Sequence, residues 1–490
     1  MFGSAAPSAR SSQLRALLLG WLALGAIAFC HSPVLRFGFL DWDDGEHVTK
    51  NRAVLEPAGA SLREQLLTPA LGYPIPVTQA SYALEARLFG LAAWHFHLLN
   101  AALQLWNCGL VFGLARRMGI GQLGALCALL LFGLHPVVAE PVSWVTGRKD
   151  LLACGFGLGS LWLAWPPGSP LLRAASVGCY AFGLLSKPTL APLCLLAPLA
   201  RCLFECSESA APRRAARELL RAALPYLIVL APIAALGFLG QHDAGAIADA
   251  SRENAGYARA AWYALGHHLR LLFGLEEPTA KYLPRPWPPG FAPSVDLLPL
   301  LAAAVSGLVG SLLRGALRRA FVFGLIWAGL CYLPNSNLIP LARYLADSYV
   351  YLPLAGVAWC AGACADGLAQ ALRRSKLRAL QFALPLLIAL ACLPALGRSQ
   401  RRFADDAALW AHALRRYPHP RICRMWANGI ANTRGPGPGL EATESCMREF
   451  GDGLFARNKG LLLVKLGRFD EARTWFERAQ RDVTRAAPRR

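Results

Sequence analysis

Residues Leu14–Cys30 read LRALLLGWLALGAIAFC, and Leu123–Pro136 (LGALCALLLFGLHP) and Leu380–Leu396 (LQFALPLLIALACLPAL) repeat the pattern. These stretches are nearly free of charge and close to the length that spans a bilayer as a helix. They are blocks, without the polar stripe a soluble helix turns to water. The whole chain agrees. Of 490 residues, 55% are hydrophobic and 16% charged, against roughly 25% charged in soluble domains. A soluble protein of this size would have to bury every such block. The expected fold class is all-α: a polytopic membrane helical bundle over residues 1–396, followed by a polar helical region over 397–490.

Working outward from these blocks gives eleven expected spans: 14–30, 95–115, 121–137, 148–166, 170–186, 188–204, 223–240, 295–312, 320–334, 349–368 and 380–396. With the N-terminus inside, the basic short loops all fall on the cytoplasmic side, as the charge rule requires. They carry Arg116 and Arg117; Arg213, Arg214, Arg217 and Arg221; Arg314, Arg318 and Arg319; and Arg373, Arg374, Lys376 and Arg378. An odd count puts the C-terminal region outside. Two outside loops are long, 31–94 and 241–294. The first contains Thr78–Phe89, an amphipathic stretch expected on the membrane surface; the second carries His267 and His268 and a Pro-rich turn at Pro284–Pro289. The net charge of +20 lies in these clusters and the tail rather than on one face, which argues against nucleic acid as a partner.

The tail reads as paired helices. Gly460, Gly467, Ala472, Phe476 and Ala479 fall at the spacing of one tetratricopeptide repeat. Trp426, Ala442 and Cys446 resemble an earlier, degenerate copy, and Trp410, Ala413 and Pro418 the end of another. Twelve of the 14 cysteines lie in or beside the apolar blocks, with no zinc spacing. Cys423 and Cys446 stand in the tail. They pair as a disulfide if the tail is extracytoplasmic, or they are two helix-packed thiols, the reading that the repeat position of Cys446 favours.

Charged residues at membrane depth or at its edge are costly and therefore functional candidates. Asp41, Asp43 and Asp44 follow the first span. Glu140, Arg148, Lys149 and Asp150 stand between the third and fourth, Lys187 at a hairpin tip, and Arg343, Tyr344 and Asp347 before the tenth. Adjacent carboxylates supply a general base, and clustered cations accept a departing phosphate. Salt bridges tying loops together are the plainer explanation of the same residues. His97 and His135 read as hydrogen-bonded helix-end residues.

The string Phe39-Leu40-Asp41-Trp42-Asp43-Asp44-Gly45-Glu46-His47-Val48, with Asn51 after it, resembles the first-loop signature of the transmembrane and tetratricopeptide-repeat-containing O-mannosyltransferases and their bacterial relatives. Further pieces follow in family order: Ile75-Pro76-Val77-Thr78, Leu88-Phe89-Gly90, His97-Leu98-Leu99-Asn100, His135-Pro136, Glu140, Trp144, Gly147-Arg148-Lys149-Asp150, Leu184-Leu185-Ser186-Lys187-Pro188, Asn337-Leu338-Ile339-Pro340 and Tyr351-Leu352-Pro353. The resemblance implies a GT-C glycosyltransferase with its active site on the outer face, taking a sugar, mannose by the family name, from a polyprenyl phosphate donor to an acceptor hydroxyl. The acceptor would be a protein, on Ser or Thr, or a glycan. It implies Asp43 and Asp44 as catalytic acids, and Arg148, Lys149, Lys187 and Arg343 as phosphate-binding. Asp41, Glu140, Asp150, His97, Tyr344 and Asp347 are supporting residues. No metal or other cofactor is expected; the bilayer is a partner, and the repeats offer a surface for a protein partner. The setting would be a bacterial inner membrane.

One departure matters. The family pattern Ala-Asp-Arg-Tyr here reads Ala346-Asp347-Ser348-Tyr349. Arg343, about one helical turn earlier, substitutes if the segment is helical; otherwise phosphate binding is weakened. Gln104 also stands where relatives often carry His. Two other functions fit the architecture: a non-catalytic membrane-anchored repeat scaffold, which Ser348 favours, and a transporter or lipid flippase, against which the charges collect at one face rather than at the midplane.

Overall fold

The computed structural model describes residues 7–56, 74–165, 169–205, 212–243, 254–282, 297–339, 341, 343–373 and 375–486. These residues form helices and no β-strand. In chain order the helices are α1 (Pro7–His31), α2 (Arg52–Leu55), α3 (Pro76–Phe89), α4 (Ala93–Arg117), α5 (Gln122–Leu134), α6 (Ala139–Ser143), α7 (Arg148–Ala164), α8 (Pro170–Ser186), α9 (Leu193–Glu205) and α10 (Pro212–Asp243). They continue as α11 (Asn254–Leu272), α12 (Leu298–Leu312), α13 (Gly315–Tyr332), α14 (Tyr351–Arg373), α15 (Ala383–Arg401), α16 (Asp406–Arg416), α17 (Pro420–Arg434), α18 (Pro436–Phe450), α19 (Ala456–Lys465) and α20 (Phe469–Ala486).

Every expected span falls on a helix, but the expected count of eleven is too high by the measure of length and apolarity. Among the described residues, six helices qualify, or seven if the pair Gln122–Leu134 and Pro136–Ser143, bent by 45°, is one broken span. The shortfall has a simple cause. At 1.5 Å per residue, a helix of 17 residues such as α7 or α8 reaches about 26 Å, less than the hydrocarbon thickness of about 30 Å. The bend at His135 follows from Pro136, which lacks an amide hydrogen and pushes the preceding residue out of helical geometry. His135 is accordingly extended (φ −60°, ψ 134°), and its side chain accepts from the Val137 amide.

Glycines set the closest helix contacts. A Cβ on Gly124 would lie 2.2 Å from the Gly362 carbonyl oxygen, and one on Gly356 would lie 2.3 Å from that of Gly324. Helix α14 is thereby held backbone-to-backbone against α5 on one side and α13 on the other, as small residues permit inside a membrane. Some interior polar groups pair across helices. The Asn107 amide donates to the Tyr351 hydroxyl (3.0 Å), which donates to Gln104 Oε1 (2.5 Å). Gln104 thus has a structural place in the bundle.

Helix α3 packs its polar face inward. Thr78, Gln79, Tyr82 and Glu85 are buried while Leu84, Leu88 and Phe89 are exposed, as suits a helix whose outer side meets lipid. The stretch 57–73 of the first long loop and Pro284–Pro289 of the second lie outside the described residues.

Helix α15 runs through residue 396 to Arg401, and the tail docks on the bundle. Leu409, Trp410, Ala413 and Ile422 belong to the same apolar core as Ile27 and Trp144. In the last helix pair, a Cβ on Gly460 would come within 2.7 Å of the Phe476 ring, and Gly467 makes the intervening turn at φ +74°. Cys423 and Cys446 form a disulfide joining α17 to α18, with their Cα atoms 5.9 Å apart.

Candidate active site

The first loop leaves α1 through a short 3-10 turn, Ser32–Arg36, and reaches Asp41-Trp42-Asp43-Asp44. The buried Asp44 fastens this turn. One carboxylate oxygen accepts from the Leu40 amide (2.9 Å); the other accepts from the Thr146 amide (3.1 Å) and hydroxyl (2.5 Å). Burial pushes its pKa up to about 6, against the pull of these hydrogen bonds. A carboxylate so enclosed fastens the turn that carries Asp43. Asp43 is half-buried, and its carboxylate has no hydrogen-bond or ion-pair partner among the described residues.

Trp42 stacks on Trp144, ring centroids 4.3 Å apart and planes 12° apart. The stack carries a cation at each end. The Arg343 guanidinium lies 4.9 Å from the Trp42 ring centre and the Lys149 ammonium 5.1 Å from that of Trp144, within the range of cation–π attraction. Arg343 also donates to Glu140 through both terminal nitrogens (2.9 and 3.2 Å) and to the Ala280 carbonyl (3.1 Å). Its segment does not meet the helical condition set for Arg343 to replace the missing arginine. Ala346, before the 3-10 turn Asp347–Val350, is extended. Arg343 reaches the site because Glu140, Ala280 and Trp42 receive it, not through helical spacing.

The other expected phosphate ligands are committed elsewhere. Arg148 is fully buried and donates to Glu85 (2.5 Å), Asn100 (3.0 Å), the Phe96 carbonyl (3.0 Å) and Ser81 (3.4 Å). Lys187 and Asp150 form a buried ion pair at 2.5 Å. Both sets hold helices together: Arg148 ties α7 to α3 and α4, and Lys187 ties the α8 end to α7. Lys149 alone of the four has no acceptor among the described residues.

The supporting residues are placed as follows. Asp41 is exposed, 3.4 Å from Lys50, and its amide donates to Asp406 of the tail (2.8 Å). Asp347 accepts from the Tyr282 hydroxyl. Tyr344 is buried, its carbonyl accepting from Asn337 (2.8 Å), and His97 lies 3.3 Å from the Gly38 carbonyl. Sequence reasoning missed Glu85, Tyr282 and Lys281. Burial and the Arg343 guanidinium push the Lys281 ammonium below its ordinary range, while Asp43 pulls it up, which puts Lys281 in electrostatic reach of both. It stands in a loop with no motif around it. Burial, then Lys149, depresses His47 to about 3, and its Nε2 is unpartnered. Among the described residues no group of three or more His, Cys, Asp or Glu could hold a metal ion.

Among the described residues the arrangement therefore offers a carboxylate without a partner, Asp43, and two cations without acceptors, Lys149 over the aromatic stack and Lys281 in electrostatic reach of Asp43. Within the bundle, α1, α4 and α7 line an apolar groove of about 1060 Å³, walled in part by Gly25, Gly109 and Gly159.

Comparison with known proteins agrees with the motif reading over part of the chain. It is 31% identical over 146 residues to Protein O-mannosyl-transferase Tmtc1 of Drosophila melanogaster, covering 28% of this chain and 17% of that protein. It is 42% identical over 65 residues to Protein O-mannosyl-transferase Tmtc2 of Drosophila melanogaster, covering 13% and 7%. It is 35% identical over 76 residues to tmtc2 of Xenopus laevis, covering 16% and 9%. The matches thus span less than a fifth of the length of each relative. No family model and no solved structure matches.

Proposed function

We propose that this multi-pass membrane protein is a glycosyltransferase that moves a sugar, mannose by analogy with its relatives, from a polyprenyl phosphate to a Ser or Thr hydroxyl of a protein at the extracytoplasmic face. The observation that carries the proposal is the Asp43 carboxylate, which has no partner among the described residues, together with Lys149 and Lys281, which have no acceptor among them. Asp43 takes the proton of the acceptor hydroxyl as its oxygen bonds to the anomeric carbon. The bond from that carbon to the phosphate oxygen breaks, and polyprenyl phosphate leaves with the added negative charge. Lys149 and Lys281 neutralise it; Arg343, held by Glu140 and Trp42, sets the local field. Arg148 and Lys187 act through the scaffold.

The apolar groove supports the lipid half of the donor. Gly25, Gly109 and Gly159 open onto empty space, and a Cβ added at any of them would meet nothing within 4 Å, so a chain of isoprene units has room between α1, α4 and α7. The Cys423–Cys446 disulfide supports an extracytoplasmic tail, since such bonds persist in oxidising compartments. The test is transfer by the purified protein from a panel of polyprenyl-phosphate sugars to a Ser/Thr peptide. Mannose is the expected donor sugar; turnover of no donor in the panel refutes the assignment.

A further inference from the structure

Five arginines converge where the chain leaves its last apolar helix. Arg398 and Arg401 lie on the final turn of α15, Arg402 caps it, and Arg415 and Arg416 end α16. With Glu277, Ala408, Ala411 and His412 they line a cavity of about 550 Å³. Five positive charges against the one of Glu277 leave a surplus of four. Part of this charge is used locally: Arg402 donates to Glu277 and to the Pro278 carbonyl, and Arg416 donates to Glu276 (3.2 Å). The side chains of Arg398, Arg401 and Arg415 are exposed and have no partner among the described residues. His412 faces the same cavity, and its Nδ1 is buried without a hydrogen bond. Burial and then Arg402 hold that imidazole below its ordinary range, against Glu277 3.6 Å from its Nε2, and the ring offers an unused polar atom.

Depth identifies the source of the anion. The apolar run of α15 ends at Leu396, and Arg398 follows two residues, about 3 Å, later. That is where headgroups lie. The flank of α15 below the cavity presents Leu386, Leu387 and Leu390 outward, each more than half exposed, a surface suited to acyl chains. A basic pocket continuous with a leucine face is what a charged lipid requires.

The geometry points to a lipid site separate from the sugar-transfer centre: the arginine cavity holds the phosphate of an anionic membrane phospholipid whose acyl chains run along the leucine face of α15. The inference does not depend on the transfer reading. The occupant would bridge α15 and α16, and so join the bundle to its tail.

The experiment titrates the purified full-length protein in neutral detergent with phosphatidylglycerol, phosphatidylcholine or inorganic phosphate, reading thermal stability and bound lipid by native mass spectrometry. Phosphatidylglycerol is expected to raise Tm and remain bound, with phosphatidylcholine and phosphate much weaker. Each of R398Q, R401Q and R415Q should weaken phosphatidylglycerol binding by about fivefold, and the triple variant by about a hundredfold. These side chains have no partners to lose, and the single variants serve if the triple one does not fold. Equal effects of the two lipids, undiminished binding by the variants, or a full shift from inorganic phosphate alone overturns the assignment; the last result identifies a free-anion site.

Discussion

Asp43 and Asp44 are neighbours with opposite expected responses to the same substitution. In Asp43→Asn no hydrogen bond is lost, so stability should stay within about 0.5 kcal/mol of the parent. Transfer should fall by about 10²–10⁴-fold, the usual contribution of a general base and roughly 3–5 kcal/mol of barrier. Asp44→Asn keeps the shape but places an amide NH₂ where one carboxylate oxygen accepts. Whichever way the amide turns, the buried Leu40 or Thr146 amide then faces a donor, a loss of about 2–3 kcal/mol. The Tm of this variant should drop, and its activity with it. The pH response separates them further. Burial raises Asp44 from 3.8 to about 6, so between these values the folded state binds a proton the unfolded chain releases. The stability from this group is complete below 3.8 and is lost as pH rises through about 6; Asp44→Asn should flatten that slope. The assay pairs initial rates of sugar transfer with thermal unfolding across pH. Near-parental turnover in Asp43→Asn, or full stability with abolished turnover in Asp44→Asn, refutes the division of roles.

Three further outcomes are open to measurement. In Gly109→Leu the new Cβ meets no atom within 4 Å and the side chain projects into the apolar groove, so folding should be unchanged while the apparent KM for a long-chain donor rises about tenfold; a short-chain donor should be spared. Arg148→Met removes one partner of the buried ion pair with Glu85 and the Asn100 and Phe96 contacts, costing about 3–5 kcal/mol; a well-folded variant with only donor affinity lost would return Arg148 to the phosphate. Replacing Cys423 and Cys446 by Ser opens a loop with 23 residues of separation and should lower tail stability by about 3 kcal/mol, read by thermal unfolding under non-reducing conditions.

The helices were legible because repeated apolar blocks, such as Leu14–Cys30, Leu123–Pro136 and Leu380–Leu396, leave few other folds. The span count was not. Hydropathy marks where a segment is apolar, whereas Pro136 decides where it bends and helix ends such as Ala164 decide how far it reaches. In the site, charge beside a span marked Asp43 and Lys149 but could not apportion roles. Arg148 and Lys149 are adjacent in the chain, yet one points into the scaffold and the other over Trp144, because successive helical residues lie about 100° apart. The partner of Arg148, Glu85, is 63 residues away on a helix whose polar face turns inward, opposite to what a surface helix suggests. Lys281 belongs to no pattern and enters only through folding. The cysteine pair was undecidable from spacing, since a repeat packing position and a disulfide partner are compatible.

The Trp42–Trp144 stack also has an optical consequence. Two indoles this close and nearly parallel couple their electronic transitions, giving a paired near-ultraviolet circular dichroism band that neither ring gives alone. Trp42 belongs to the first loop and Trp144 to the bend before α7, so the band reports whether those two segments are seated together. Lys149 and Arg343 sit over the outer faces of the rings, so a phosphate drawing either cation away would change the signal. The protein thus carries an intrinsic chromophore pair at its candidate active site, which reports the seating of the first loop without a label.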